Sequence, residues 1–254
     1  MPSIGMLGCG NIAGIIAARG GDYAKIEACH DIDTPRMREF CQRSGAMACD
    51  DIEALLARDF HLLVEAASIQ AVRDYLPLAL ARGRDVVVLS VGALLDRALL
   101  QEVRAAAKQS GRRVYVPSGA VFGLDNLKVA RVASLTRLLL RTTKHPRSLG
   151  LADDEQRRCL FRGPASEAVR AFPKNINVSA ALSLAAGIEP EVELWVDPAA
   201  TANRHEIEAS GAFGSVAIRT DNLPSPDNPA TSYLAALSVL TLLKDLDDPL
   251  QIGT

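Results

Sequence analysis

Ser3-Ile4-Gly5-Met6-Leu7-Gly8-Cys9-Gly10-Asn11-Ile12-Ala13 is the stretch that decides the fold. Its first five residues form an apolar run suited to a buried strand, and the residues from Ile12 to Arg19 suit a helix. Between them lies G-x-G-x-x-A. Gly8 permits the tight turn, Gly10 lets backbone approach a pyrophosphate without a Cβ in the way, and Ala13 keeps the helix close to the strand. The free N–H groups at the start of the helix face the phosphates. Gly8, Gly10, Asn11 and Ile12 are therefore candidate contacts to a dinucleotide.

The motif gains weight from its place in the chain. Further short apolar runs at 25–29, 62–66, 86–89 and 114–116 alternate with helix-like segments at 35–44, 52–57, 70–82 and 97–111. Uninterrupted Val/Ile/Leu strands separated by helices imply βαβ units and a doubly wound parallel sheet, an α/β Rossmann domain. Asp31 ends the second strand about 20 residues after the glycine loop, where an acid accepts hydrogen bonds from the adenosine ribose. An ordinary loop carboxylate, or a cap shared with Asp33, is the alternative. An acid there repels a 2′-phosphate and favours NAD over NADP, although Arg36 is near enough to offset it. Val64-Glu65-Ala66-Ala67-Ser68 ends another strand, so Ala67 and Ser68 are candidate cofactor contacts, with Ser68 also a natural helix cap.

The second half reads differently. Residues 192–196 are largely apolar, and 204–210 alternate His205, Ile207 and Ala209 against Arg204, Glu206 and Glu208. With 215–219 this suggests an antiparallel hairpin with one buried face. Residues 223–229 read as a proline-broken loop and 232–246 as a final helix that returns to the first domain. The expected organisation is a dinucleotide-binding domain of 1–119 plus 232–254. A smaller α+β domain, 120–231, makes up the rest.

Bulk properties exclude several classes. The 254 residues carry a net charge of −2 and only 4% aromatic residues, which argues against nucleic-acid binding. The longest nearly apolar run, 86–95, is too short for a bilayer, and no signal peptide is evident. Five cysteines (Cys9, Cys29, Cys41, Cys49, Cys159) form no C-x-x-C pair. The reading is a cytoplasmic protein with idle thiols and no metal.

Four segments of the second half make a family resemblance specific: Val116-Pro117-Ser118-Gly119-Ala120 running into Gly123-Leu124-Asp125; Phe172-Pro173-Lys174-Asn175-Ile176-Asn177-Val178; Asn203-Arg204-His205-Glu206; and Asn228-Pro229-Ala230-Thr231-Ser232-Tyr233. Together with the glycine loop and the Glu65–Ser68 strand end, the chain resembles the L-aspartate dehydrogenases over its whole length. The resemblance implies a Rossmann domain joined to a smaller domain like that of dihydrodipicolinate reductase, usually in a homodimer. It implies the oxidation of L-aspartate by NAD or NADP to iminosuccinate, which hydrolyses to oxaloacetate and ammonia, in connection with NAD biosynthesis. It also implies cofactor contacts at Ala120 and Asn177 and a catalytic histidine at His205. Two departures stand out. Val121-Phe122 replaces the usual Ile-Gly after Ala120, adding bulk beside the nicotinamide, and Ala230 stands where lysine is common.

Of the four histidines, His30 and His61 read as structural and His145 lies in a turn. His205 continues the buried face of its strand, and Asn203 lies on that face as a possible orienter. Lys144, Arg147 and Lys174 are candidate anchors for the substrate carboxylates, and the sequence does not choose among them. Two other readings keep the fold: an imine reductase of the dihydrodipicolinate reductase type, and a non-catalytic dinucleotide sensor.

Overall fold

A computed structural model describes residues 1–152, 156–172, 177–225 and 228–253, with backbone alone at 228–230. The chain divides into two compact units. The first comprises Met1–Pro117 with Ala236–Ile252, and the second Ser118–Ala235 with Gly253–Thr254.

In the first unit, β1 (Ser3–Leu7), α1 (Asn11–Arg19), β2 (Lys25–His30), α2 (Thr34–Ser44), β3 (Met47–Ala48), α3 (Ile52–Leu56), β4 (Leu62–Glu65), α4 (Ile69–Ala81), β5 (Asp85–Val88), α5 (Arg97–Ser110) and β6 (Val114–Tyr115) succeed one another along the chain. The six strands form one sheet in the order β3-β2-β1-β4-β5-β6. Every pairing in it is parallel. The doubly wound α/β expectation is met, with strand ends shifted by a residue here and there. The winding reverses between β1 and β4, so the loops after these strands border a topological switch point, where such sheets bind ligands. The short β3 was not legible, because Met47–Ala48 is too brief to show a period and both residues are exposed.

The second unit contains α6 (Leu124–Leu127), β7 (Leu135–Lys144), β8 (Arg158–Pro164), α7 (Ala165–Ala171), α8 (Asn177–Ala186), β9 (Glu191–Val196), β10 (Asn203–Gly211), β11 (Gly214–Asn222), β12 (Pro224–Ser225) and β13 (Asn228–Ser232). Its main sheet runs β11-β10-β7-β9-β8, with β12 and β13 as a separate pair. The β10–β11 hairpin is the one expected, with Gly211 opposite Gly214 at its turn.

Strand β7 was missed. It is the central strand, and Leu138-Leu139-Leu140 is buried on both faces, so its sequence does not alternate. The segment read as a proline-broken loop pairs in part: Pro224 lies opposite Ser232 and Ser225 opposite Asn228. A pair this short and proline-flanked leaves no period to read.

The last helix, α9 (Tyr233–Asp245), places Val239, Leu240 and Leu243 in the core of the first unit with Ile4, Met6, Ile16, Phe40, Val64 and Val87. Burying each of these helix side chains contributes about 1.5–3 kcal/mol. Removing α9 would therefore open that core.

Candidate active site

The glycine loop has the geometry its sequence asks for. Gly8 has φ +95°, and a Cβ there would stand 2.7 Å from the carbonyl carbon and oxygen of Ala66, so only glycine fits. Its N–H donates to the His30 carbonyl at 2.8 Å, tying the loop across to β2. Gly10 caps α1 in an extended conformation with no side-chain cap. A Cβ on Gly10 would meet nothing within 4 Å. The protein therefore leaves open the space in front of the α1 N-terminus, the end at which a helix receives an anion. This is a fit for the pyrophosphate of a dinucleotide. Asn11 and Ile12 open the helix beside it, both half-buried.

Asp31 has a job that sequence reading missed. Its Oδ2 accepts from the Cys9 N–H at 2.7 Å and its Oδ1 from the Asp33 N–H at 2.8 Å. The carboxylate thus holds the glycine loop from beneath while retaining further lone pairs for ribose hydroxyls. The cap of α2 falls to Asp33, which accepts from Arg36 N–H at 3.0 Å. The Arg36 guanidinium lies 2.9 Å from Asp33 and 3.9 Å from Asp31, so the acid is not an isolated negative charge.

Glu65 organises the next strand ends. Its Oε1 accepts from the Ala67 and Ser68 amides at 2.9 and 3.0 Å and from the Ser90 hydroxyl at 2.7 Å. Its Oε2 accepts from the Leu89 and Ser90 amides at 3.2 and 2.9 Å. Burial raises its pKa, and the hydrogen bonds partly offset that rise. The residue fixes the turns after β4 and β5 together. Ala67 and Ser68 lie exposed on the first of these turns, and Ser68 also caps α4 by accepting from Ala71 N–H at 3.1 Å.

The second unit gathers a different chemistry. His205 is 3% exposed on β10, paired in register with Thr142 of β7 and Thr220 of β11. Its Nδ1 lies 2.9 Å from the Thr142 hydroxyl. Thr142, not Asn203, therefore orients the imidazole; β7 was not legible, so its register could not be read. Either partner can donate in this contact; in the tautomer whose Nδ1–H donates to Thr142, the other ring nitrogen carries the free lone pair of a base.

Lys144 stands two residues further along the same face of β7 and is 5% exposed. Burial lowers its pKa to about 8. The pKa of His205 falls to about 3, first through burial and then through the charge of Lys144. Around them, Asn203 Nδ2 and Thr220 Oγ1 are buried without a hydrogen-bond partner among the described residues. Buried polar atoms are rarely left so, and a bound water, an ion or a ligand would satisfy them.

The remaining candidates separate. Ala120 is buried, and its carbonyl accepts from Asn222 Nδ2 at 2.9 Å. Asn177 opens α8 and is exposed, while Phe122 is 60% exposed. Arg147 lies exposed in the turn after β7. Lys174 and the side chain of Ala230 lie outside the described residues.

His30 binds the Cys49 carbonyl at 2.9 Å and His61 the Ser3 hydroxyl at 3.0 Å. His145 accepts from Arg147 N–H at 3.2 Å. These three are occupied in structural roles. Among the described residues no group of three His, Cys, Asp or Glu could hold a metal, and no helix is long and apolar enough to cross a membrane.

Known protein families match both halves of the chain. Residues 8–117 match the family described as homoserine dehydrogenase, NAD binding domain, and residues 125–246 match aspartate dehydrogenase, C-terminal. The L-aspartate dehydrogenase of Methanospirillum hungatei is 49% identical, with 100% of both chains covered. That of Methanothermobacter thermautotrophicus is 43% identical over 99% of this chain and 98% of its own. The crystal structure of aspartate dehydrogenase from Thermotoga maritima superposes with a TM-score of 0.84 at 27% identity, covering 100% of each chain. The chain belongs to the L-aspartate dehydrogenase family and is an oxidoreductase with an NAD(P)-binding domain.

Proposed function

We propose that this chain oxidatively deaminates L-aspartate with NAD(P)+, giving iminosuccinate and then, on addition of water, oxaloacetate and ammonia. The observation that carries the reading is a buried imidazole held by Thr142 beside a buried lysine, in a chain whose 49%-identical relative is named for this activity. Bound NAD(P)+ supplies the acceptor for the hydride that leaves the substrate Cα.

In this reading His205 takes the proton that the substrate ammonium must lose before its Cα–H electrons can be released. The imidazole is neutral in the free protein, as an acceptor must be. A dicarboxylate beside Lys144 would offset the cationic part of what holds its pKa down and leave it a stronger base. His205 would then assist the attack of water on the imine.

We assign cofactor binding to residues 1–119 with 232–254, through Gly8, Gly10, Asn11, Ile12, Asp31, Ala67 and Ser68. Substrate chemistry and dimerisation fall to 120–231, which adds Ala120 and Asn177. Asp31 favours NAD through the ribose hydroxyls, while Arg36 softens the penalty against NADP. A homodimer, a cytoplasmic location and a supply role in NAD biosynthesis complete the reading.

A panel of L-amino acids with NAD+ and NADP+, monitored by nicotinamide absorbance, tests it. Aspartate-dependent reduction of the cofactor is expected. Turnover confined to a cyclic imine would favour the reductase alternative, and binding of dinucleotide with no turnover the sensor.

A further inference from the structure

We infer that Cys29 and Cys41 form a peroxide-sensitive modification site, closing to a disulfide that weakens dinucleotide binding. The inference goes beyond the proposed aspartate chemistry and involves the first unit alone.

The chain has no C-x-x-C pair, yet the fold gathers its thiols. Cys29 Sγ on β2 lies 3.2 Å from Cys41 Sγ on α2. The Cys9 thiol, inside the glycine loop, is a hydrogen-bond neighbour of Cys29. Cys49 follows β3, and its N–H donates to the Cys29 carbonyl at 2.8 Å. Four of the five cysteines thus meet around β2, and Cys159 alone is exposed. Cys9 and Cys29 are buried, whereas Cys41 is half-buried. A small oxidant therefore reaches Cys41 first, and Cys29 is placed to resolve the product.

The chemistry balances with a peroxide as oxidant. The Cys41 sulfur attacks one oxygen of hydrogen peroxide, the O–O bond breaks, and hydroxide leaves with the thiol proton as water. Cys41 is then a sulfenic acid. The Cys29 sulfur attacks Cys41 Sγ, the S–O bond breaks, and the second hydroxide leaves with the Cys29 proton as water. Two thiols have become one disulfide, and the two peroxide oxygens are reduced. Burial pushes the Cys41 thiol up to about 12. The Cys9 contact and burial raise Cys29 as well. Attack is therefore slow, and the reduced pair gains no thiolate stabilisation, so the disulfide persists once formed.

The pair flanks the atoms that hold the cofactor loop. A disulfide keeps its sulfurs about 2.05 Å apart, so closure draws them together by roughly 1 Å. Cys29 is fixed in the sheet, opposite Met6 of β1 and Ala48 of β3. Helix α2 must therefore move. Between the two cysteines lie the His30 carbonyl, which receives the Gly8 N–H, and the Asp31 carboxylate, which receives the Cys9 N–H. Arg36 on α2 joins Asp33 to this group and stands 3.9 Å from Asp31. Drawing α2 inward displaces that group from beneath the glycine loop. Dinucleotide and disulfide then oppose each other, and by linkage each disfavours the other to the same extent.

The test uses the full chain carrying Cys159→Ser, which removes the exposed thiol. Reduced protein is treated with hydrogen peroxide, alkylated and mapped by peptide mass spectrometry, and NAD+ affinity is measured by calorimetry before and after. A Cys29–Cys41 cross-link is expected, reversed by a dithiol, with NAD+ affinity weakened by about 5–50-fold. Redox titration should show saturating NAD+ raising the reduction potential of the pair, by about 30 mV for each tenfold of coupling. With Cys41→Ser added, NAD+ affinity should match the reduced protein and ignore peroxide.

Cys29 and Cys41 left as free thiols, or Cys41 carried to sulfinic acid with no cross-link, would overturn the site. A cross-link that leaves NAD+ affinity unchanged would overturn its coupling to the cofactor. Peroxide that weakens NAD+ equally in the Cys41→Ser form would assign the effect to another residue and overturn the inference as well.

Discussion

Gly10→Val separates a loop kept open for a ligand from one that is open by accident. A Cβ at this position meets no protein atom within 4 Å, and the backbone, at φ −79° and ψ −161°, suits any residue. The variant should therefore fold. Its expected cost is that of a poorer helix cap, about 1 kcal/mol, or a fall of roughly 2–4 °C in Tm. The valine would fill the approach of the pyrophosphate to the α1 amides. Losing one or two charge-assisted hydrogen bonds, each worth about 1.5–3 kcal/mol, predicts a roughly 10- to 10⁴-fold loss of NAD affinity.

Gly8→Ala is the control. Its Cβ would strike the Ala66 backbone at 2.7 Å in a left-handed conformation, so it should lower Tm and affinity together. Calorimetric titration with NAD+ and a thermal melt on the same samples suffice. NAD affinity within a few-fold of wild type in a well-folded Gly10→Val would refute the assignment of this loop to the pyrophosphate.

The same geometry carries other expectations. His205→Ala should lower kcat by about 10²–10⁴-fold with NAD affinity unchanged, as measured by steady-state kinetics and cofactor titration. Glu65→Gln replaces an oxygen by a donor among five donors and should cost about 1–3 kcal/mol in urea denaturation while weakening NAD; wild-type values for both would show that Glu65 is not the tie between the β4 and β5 turns.

The low pKa of His205 also has a stability consequence with a definite sign. Its folded value, about 3, lies below the ordinary 6.5, so the unfolded chain binds the extra proton and stability is lost as pH falls from about 6.5 toward 3. That loss approaches 1.4 kcal/mol per pH unit from this group. Denaturation curves at several pH values should show a shallower acid slope in His205→Ala, and identical slopes would contradict the burial argument.

How far the sequence carried depended on period and register. The first domain was legible because Ile4, Val64 and Val86–Val88 stand in strands covered on both faces, and because Gly8, Gly10 and Asp31 are tied to one another by spacing along the chain. The hairpin at His205 was legible because its buried residues alternate strictly. Strand β7 was not, since Leu138-Leu139-Leu140 runs through the centre of the sheet without a period. With β7 went the role of Thr142, whose contact to His205 spans 63 residues and rests on pairing that local patterns do not encode. The same holds for Asp31 and Glu65, whose acceptor roles toward Cys9 and Ser90 depend on neighbouring strand ends. Lys144 could be named as a cation from sequence, but its burial beside His205 could not be read.

The central claim is that this chain moves hydride from the Cα of L-aspartate to a nicotinamide. L-Aspartate deuterated at C2, incubated with the protein and NAD+ and then analysed by mass spectrometry, tests it directly. Deuterium should appear in the reduced nicotinamide in step with oxaloacetate and ammonia, and His205→Ala should slow its appearance. Oxaloacetate formed without deuterium in the nicotinamide, or no transfer from aspartate under conditions where the dinucleotide binds, would contradict the account.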